Sequence, residues 1–486
     1  MSRVVVMGAG VAGHTAALHL KRKLGKQHDV VVVSPNSKWN WIPSNIWVGV
    51  DRMAASKVVF PLEPVYRKKK IEFHQAKATT ILPDGDANDS TPQIEIEYTA
   101  AGAARRTARI SYDYLVNATG PALNFAATPG LGPENGHTVS VCTPGHAVDA
   151  ARELTASIAR LKKGEKLTFV IGTGHGTCTC EGAAFEYVLN VEHELRRHGV
   201  RDNADIVFFT NEMELGDFGV GGMIIKNKGS FMSGGALAGT LFAERGIRAI
   251  LGAAATNITS DTIEYVQVDG SPQSLHFDFS MLLPPFRGVP FAVLDRDGRD
   301  ITASVFAQSG FMKVDADYTA KPYGQWSAED WPRTYQSPAY SNMFAAGIAF
   351  APPHAISKPH QTPDGIMIAP APPRTGQPSG AIAKAVAFSI VDMIHSNSPT
   401  PTHAAPMSQL AAACVASAGT GAFEGSAVAM VMSPIIPDWT RYPETGRNIK
   451  ETTAEIGLGG HWAKRILHSA FMYKMHGYPY WWVVPE

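Results

Sequence analysis

Long apolar runs are missing from this chain: no stretch approaches the roughly 20 residues that a membrane-spanning helix requires. Surplus charge is missing too. Lysine plus arginine and aspartate plus glutamate stand at 43 each, so the clustered positive excess that nucleic-acid backbones require is absent and no nucleic acid is expected as a partner. The short runs Lys21-Arg22-Lys23 and Arg67-Lys68-Lys69-Lys70 read as solvated faces. Cysteine is scarce. Four unevenly spaced cysteines make no disulfide framework and read as redox or buried thiols. Only Met1-Ser2-Arg3 precedes the first expected strand, which leaves no room for a signal peptide, so none is expected.

Glycine, by contrast, is plentiful and ordered. The chain opens on Val4-Val5-Val6-Met7-Gly8-Ala9-Gly10-Val11-Ala12-Gly13. After Leu167-Thr168-Phe169-Val170-Ile171 comes a variant, Gly172-Thr173-Gly174-His175-Gly176-Thr177-Cys178-Thr179-Cys180. Each is a strand running into a glycine loop, so two nucleotide-type folds are predicted, the second carrying thiols. In the first, Gly8 permits the tight turn and Gly10 lets the backbone approach a pyrophosphate. Gly13 lets a helix over 14–24 pack on the strand, its N-terminal N–H groups facing the phosphates. The acid expected after the second strand, 28–33, to hold a ribose hydroxyl is replaced by Ser34, which leaves FAD or NAD open at this point.

A length of 486 residues exceeds what one core serves, and 45% hydrophobic with 18% charged residues fits ample core. Four segments are expected: 1–135, 136–285, 286–398 and 399–486. The strand ending in Asn117-Ala118-Thr119-Gly120 closes on a small-residue turn that passes near a cofactor, and Ser341-Asn342-Met343-Phe344-Ala345-Ala346-Gly347 reads as a strand returning to it. Between them a helix over 182–199 and a strand over 205–210 are predicted. Residues 352–378 are proline-rich and read as a functional loop without regular structure. Cys414 is expected in an alanine-rich helix, as a core thiol.

Residues 460–474 predict a helix with Trp462, Ile466, Ala470 and Tyr473 along one stripe and Lys464, Arg465 and His468 beside it. Tyr478, Tyr480, Trp481 and Trp482 follow. Rings and basic groups beside an apolar stripe suit the headgroup boundary of a bilayer, so a lipid surface is an expected partner and the protein is expected to sit on a membrane without crossing it. The alternative is a tail packed on the protein's own core or on a second copy, in a homo-oligomer.

The two glycine units, the Ala-Thr-Gly turn between them and the Phe-Ala-Ala-Gly strand resemble flavoproteins of the two-dinucleotide-domain disulfide reductase type. Within that superfamily the chain resembles the sulfide:quinone oxidoreductases. The specific strings are Val141-Cys142-Thr143-Pro144-Gly145-His146-Ala147, Cys180-Glu181-Gly182-Ala183-Ala184-Phe185-Glu186, Leu215-Gly216-Asp217-Phe218-Gly219 and Met281-Leu282-Leu283-Pro284-Pro285-Phe286-Arg287-Gly288. The resemblance implies an α/β fold of two Rossmann-like domains plus a C-terminal amphipathic helical segment. It implies FAD held at Gly8, Ala9, Gly10, Gly13 and Ser34, with Ala78, Thr119, Gly120, Gly347 and Arg374 completing the site. Sulfide is oxidised at cysteines on one flavin face, and a membrane quinone is reduced on the other.

On that reading Cys180 is the principal redox cysteine. A thiol entering a helix gains thiolate stability from backbone N–H groups. Cys142 and His146 match a Cys-x-x-x-His segment in which the cysteine shuttles sulfur or bonds covalently to the flavin, and the histidine serves as acid or base. Phe350 and Arg374 occupy quinone-facing places. Two departures fall on the sulfide half-reaction: Ile348-Ala349-Phe350 stands where a third cysteine is usual, and Asp217 replaces a second histidine. Cys178 is the candidate replacement, as a strained Cys178–Cys180 pair opened by hydrosulfide. The competing reading is Cys180 acting alone. His175 is a candidate local base in the same loop. Two other functions stay open here: a type II NADH:quinone oxidoreductase, with Glu212 as the ribose acid, and a flavin-binding subunit of a membrane complex without sulfide turnover.

Overall fold

Strand β1 (Arg3–Met7) is apolar from Val4 onward and buried on both faces, as central parallel strands are. It leads into helix α1 (Val11–Leu24), whose small residues on the inner side let it lie close to the sheet. The helix therefore begins at Val11, three residues before the predicted start. Strands β2 (Asp29–Ser34), β3 (Glu72–Leu82) and β4 (Tyr114–Asn117) join β1 in parallel register, Val5 standing opposite both Val31 and Leu115. The computed structural model describes all residues apart from 104, 180, 374, 375, 422 and 423, and apart from the side chain of Asn227.

A second parallel sheet follows. Helix α2 (Pro144–Lys162) precedes β5 (Leu167–Thr173), and α3 (Glu181–Arg197) connects it to β6 (Ala204–Phe209), β7 (Ile247–Ile250) and β8 (Phe279–Leu283), in the spatial order β7-β6-β5-β8. Strand β9 (Met343–Ala345) then returns to the first sheet beside β4, giving β9-β4-β1-β2-β3, continued by the antiparallel strands Gln93–Tyr98 and Thr107–Ser111. Helix α4 (Gly376–Ser396) packs along α1. The proline-rich stretch is not wholly irregular: His360–Gln361 pairs with Met367–Ile368 in a short hairpin.

The last part of the chain holds the expected helix and adds strands that its sequence did not suggest. β10 (Ala412–Ala418) and β11 (Ser426–Met432) form an antiparallel ladder, β12 (Thr453–Gly457) extends it, and the long helix α5 (Leu458–Met475) lies across β10 and β11. Cys414 is thus in a strand, not in a helix. The physical reason is tertiary. Small side chains let α5 come down onto the sheet, where a Cβ on Gly460 would stand 3.0 Å from the carbonyl of Ala427.

Candidate active site

The first glycine loop is built as its spacing predicts. Gly8 has φ +103° and a Cβ there would sit 2.2 Å from the carbonyl oxygen of Ala118, while a Cβ on Gly13 would sit 2.1 Å from that of Gly8. Turn and helix therefore close on each other. Gly10 differs: a Cβ there would meet nothing within 4 Å, and the residue caps the open N-terminus of α1. That openness faces a cavity of about 1710 Å³. Ala9, Ser34, Ala78, Thr119 and Gly120 border it as well. Ser34, buried at the end of β2, accepts the N–H of Asn36 at 3.3 Å. Gly347 serves the packing instead, since a Cβ there would stand 2.6 Å from Ala12 and 3.3 Å from Ser379, and its neighbours Ala346 and Ile348 take the cavity wall.

Among the described residues two thiols, Cys142 and Cys414, line the same cavity. Cys142 borders it directly beyond the end of α2, whose cap is Thr143, accepting the N–H of His146 at 3.1 Å. Pro144 is the first residue of α2. It opens the helix, where its missing N–H costs nothing. Burial pushes the Cys142 thiol up to about 11. His146 turns away to Glu134, 3.3 Å from its Nε2, with its ring edge-on to Phe125. Cys178 is fully buried and unbridged, its thiol donating to the carbonyl of Leu283 at 3.1 Å. Burial, then the charge of Glu181, holds that thiol well above the usual range. Cys180 and Arg374 lie outside the described residues. His175 bonds Thr177 Oγ1 at 3.0 Å, and burial lowers its basicity.

Spacing alone could not have found two further wall residues. Glu186, on the inner side of α3, is joined by Lys464 of α5, and its Oε1 also accepts the N–H and hydroxyl of Ser417 at 3.0 and 2.5 Å. Lys464 had read as a flanking surface charge. Cys414, also on the wall, has its sulfur 3.3 Å from the place a Cβ on Gly182 would take. At the mouth, Ile42, Ile466 and Leu467 line the cavity while remaining exposed. Phe350 instead packs edge-on against Trp331 and Tyr335, bordering a small apolar pocket with Pro372 and Pro373, and Ile348 and Pro373 touch both spaces.

The second glycine loop is filled by the chain itself. Cβ atoms on Gly172, Gly174 and Gly176 would meet the Phe209 carbonyl at 1.6 Å, the Leu131 side chain at 2.4 Å and the Met367 carbonyl at 2.2 Å. Glu212 is fully buried and accepts the N–H of Phe218 at 2.6 Å and the Thr210 hydroxyl at 3.1 Å. Its oxygens are engaged within the fold. Among the described residues no group of His, Cys, Asp and Glu is arranged to hold a metal ion.

Residues 2–283 match the pyridine nucleotide-disulphide oxidoreductase family. Over 472 residues the chain is 30% identical to a sulfide-quinone reductase of Aquifex aeolicus (strain VF5), covering 97% of this chain and 90% of that one. This chain belongs to the sulfide-quinone reductases. It is also 24% identical over 214 residues to the mitochondrial sulfide:quinone oxidoreductase of Dictyostelium discoideum, 43% of this chain and 42% of that one. The X-ray structure of the Aquifex aeolicus sulfide:quinone oxidoreductase superposes with a TM-score of 0.74 at 27% identity, covering 98% of this chain and 92% of that one. NDH2 of Plasmodium falciparum, TM-score 0.59 at 12% identity with 88% and 90% covered, shares the fold.

As a member of the sulfide-quinone reductases the chain is a flavin-dependent oxidoreductase, and the family flavin is FAD. The residues fit that group. The open face of Gly10 at a helix N-terminus suits a pyrophosphate, and Ser34 at the tip of β2 suits a ribose hydroxyl.

Proposed function

We propose that this protein oxidises sulfide to sulfane sulfur at a cysteine and delivers the electrons to a membrane quinone. The observation that carries the reading is the single cavity. Its wall runs from the glycine turn, past Cys142 and the first turn of the thiol helix at Gly182–Ala183, to the exposed apolar mouth at Ile42, Ile466 and Leu467.

FAD, when bound, supplies the two-electron acceptor between the half-reactions. The protein's own residues do the rest. Gly8, Ala9, Gly10 and Gly13 seat the dinucleotide, with Ser34, Ala78, Thr119 and Gly120 along its length and Gly347 closing α4 onto the turn. Cys180 takes up sulfide as a persulfide: a cysteine thiolate and hydrosulfide become a cysteine persulfide anion, releasing one proton and two electrons. Cys178 lies two residues away in sequence as the second thiol of the loop, and Cys142, on the cavity wall, is a sulfur acceptor or a covalent tether for the flavin. His146, whose Nδ1 has no hydrogen-bond partner among the described residues, is the acid or base of that segment. Phe350, with Arg374, belongs to the quinone side.

Ile42, Ile466 and Leu467, together with the half-exposed Trp462 and Tyr473, form the face that meets the lipid surface, so that quinone enters without crossing water. Among the described residues no helix is long and apolar enough to cross a membrane. The self-filled second glycine loop and the engaged Glu212 favour sulfide over NADH as electron donor. Anaerobic mixing with sulfide is expected to bleach the flavin, and a soluble quinone to restore it. Bleaching by NADH and not by sulfide would overturn the proposal.

A further inference from the structure

Beneath the thiol loop lies a set of carboxylates that the reaction above does not use. Glu181, the first residue of α3, follows Cys180 directly and is fully buried, and neither of its oxygens has a hydrogen-bond partner among the described residues. A buried acid without partners is costly, so its persistence calls for a reason. Its Oε2 stands 3.5 Å from the place a Cβ on Gly219 would take. The N–H of Phe218, one residue earlier, is held by Glu212 Oε1 at 2.6 Å. One residue before that, Asp217 Oδ1 accepts the N–H of Gly221 at 3.2 Å and the hydroxyl of Ser357. Three acids therefore converge on the turn 217–219.

No cation enters the cluster among the described residues. The Arg447 guanidinium acts on Asp217 from outside, but its N–H groups go to the carbonyls of Val220, Gly222, Pro434 and Ile435 at 2.6 to 3.2 Å. Burial, reinforced by Glu212, keeps the Glu181 carboxyl protonated far above the usual range. Burial also lifts Glu212 to about 8 and raises Asp217. The series has two ends. On the inner side Glu181 acts on the Cys178 thiol; on the outer side Asp217 accepts the hydroxyl of Ser357, and the carbonyl of the adjacent Ile356 accepts the hydroxyl of Tyr323, which is 40% exposed.

We propose that Glu181, Glu212 and Asp217 form a proton exit from the thiol loop to solvent. The inference rests on the sulfide reading, in which thiolate plus hydrosulfide gives persulfide anion, two electrons and one proton inside a buried site. That proton is received at Glu181. The proton already held by the Glu181–Glu212 pair moves on to Asp217 and leaves at the surface beside Tyr323, so the cluster ends each turnover with the proton count it began with. The electrons depart by the flavin and quinone.

The test uses the flavin-loaded protein under anaerobic stopped flow, with sulfide against a pH series and a pH-indicator dye. Glu181→Gln is expected to slow sulfide-driven bleaching by at least about tenfold and to alter its pH profile, with Glu181→Asp recovering part of the rate. Reoxidation of dithionite-reduced flavin by quinone should be unchanged. Asp217→Asn, farther out, is expected to delay proton release to the dye more than it slows bleaching. Without sulfide, infrared difference spectra should show a protonated-carboxyl band lost in Glu181→Gln. Bleaching by sulfide at the wild-type rate and pH profile in both variants overturns the exit while leaving the sulfide reading intact. Equal slowing of both half-reactions reveals a structural role and overturns it too. If wild type itself is not bleached by sulfide, the sulfide reading falls and the exit with it.

Discussion

Lys464, near the middle of the last helix, reaches Glu186 on the thiol helix across 278 positions of sequence, and both side chains are almost wholly buried. Removing one partner strands the other's charge. Lys464→Met is expected to destabilise the protein by about 3 kcal/mol or more in urea unfolding, and adding Glu186→Gln to recover much of the loss. Additive losses in the double variant would refute the pairing.

The two ends of the glycine turn should separate in their effects. Gly8→Ala forces a side chain onto the Ala118 carbonyl at positive φ, so unfolding temperature and flavin content are both expected to fall. Gly10→Val places its bulk in open space at the helix N-terminus. It should leave the flavin-free protein as stable as wild type and lower only the flavin-to-protein ratio.

The two thiols of the second loop are predicted to differ. Cys178 is fully buried, and its thiol is raised by burial and by Glu181, so it is a poor thiolate. Cys178→Ser is expected to keep sulfide-dependent quinone reduction within about tenfold, and Cys180→Ser to abolish it, measured as anaerobic turnover. Loss of turnover in both would establish the Cys178–Cys180 pair.

His14 makes stability depend on pH. Its ring is fully buried between the Tyr66 hydroxyl at 2.8 Å and the Met475 carbonyl at 2.7 Å, and burial lowers it from 6.5 to about 4. A depressed folded value means the unfolded chain takes the proton first. The contribution is full above pH 6.5 and is lost as pH falls toward 4, amounting to on the order of 3 kcal/mol. Urea midpoints at pH 7 and pH 5 should show the drop, and His14→Gln should flatten it.

The first glycine turn was legible because its work is local: Gly8, Gly10 and Gly13 act within a few residues of one another. Helix α5 was legible for the same reason, and Trp462, Ile466 and Tyr473 stand exposed along it as their spacing suggests. What escaped depends on distant partners. Lys474 is buried because Glu486 folds back to it at 2.8 Å, and Trp481 turns inward onto His19 while Tyr480 stays in solvent. Cys414 escaped because the segment Ala412-Ala413-Cys414-Val415-Ala416 carries no period of its own. Its strand exists because β11 and α5 supply both its edge and its cover.

Phe209 presses so closely on Gly172 near the end of β5, and Leu131 and Met367 on Gly174 and Gly176 of the loop after it, that the three glycines serve as hinge-free masonry. The consequence is a stoichiometry: a chain that repeats one architectural unit is expected to load a single dinucleotide per polypeptide.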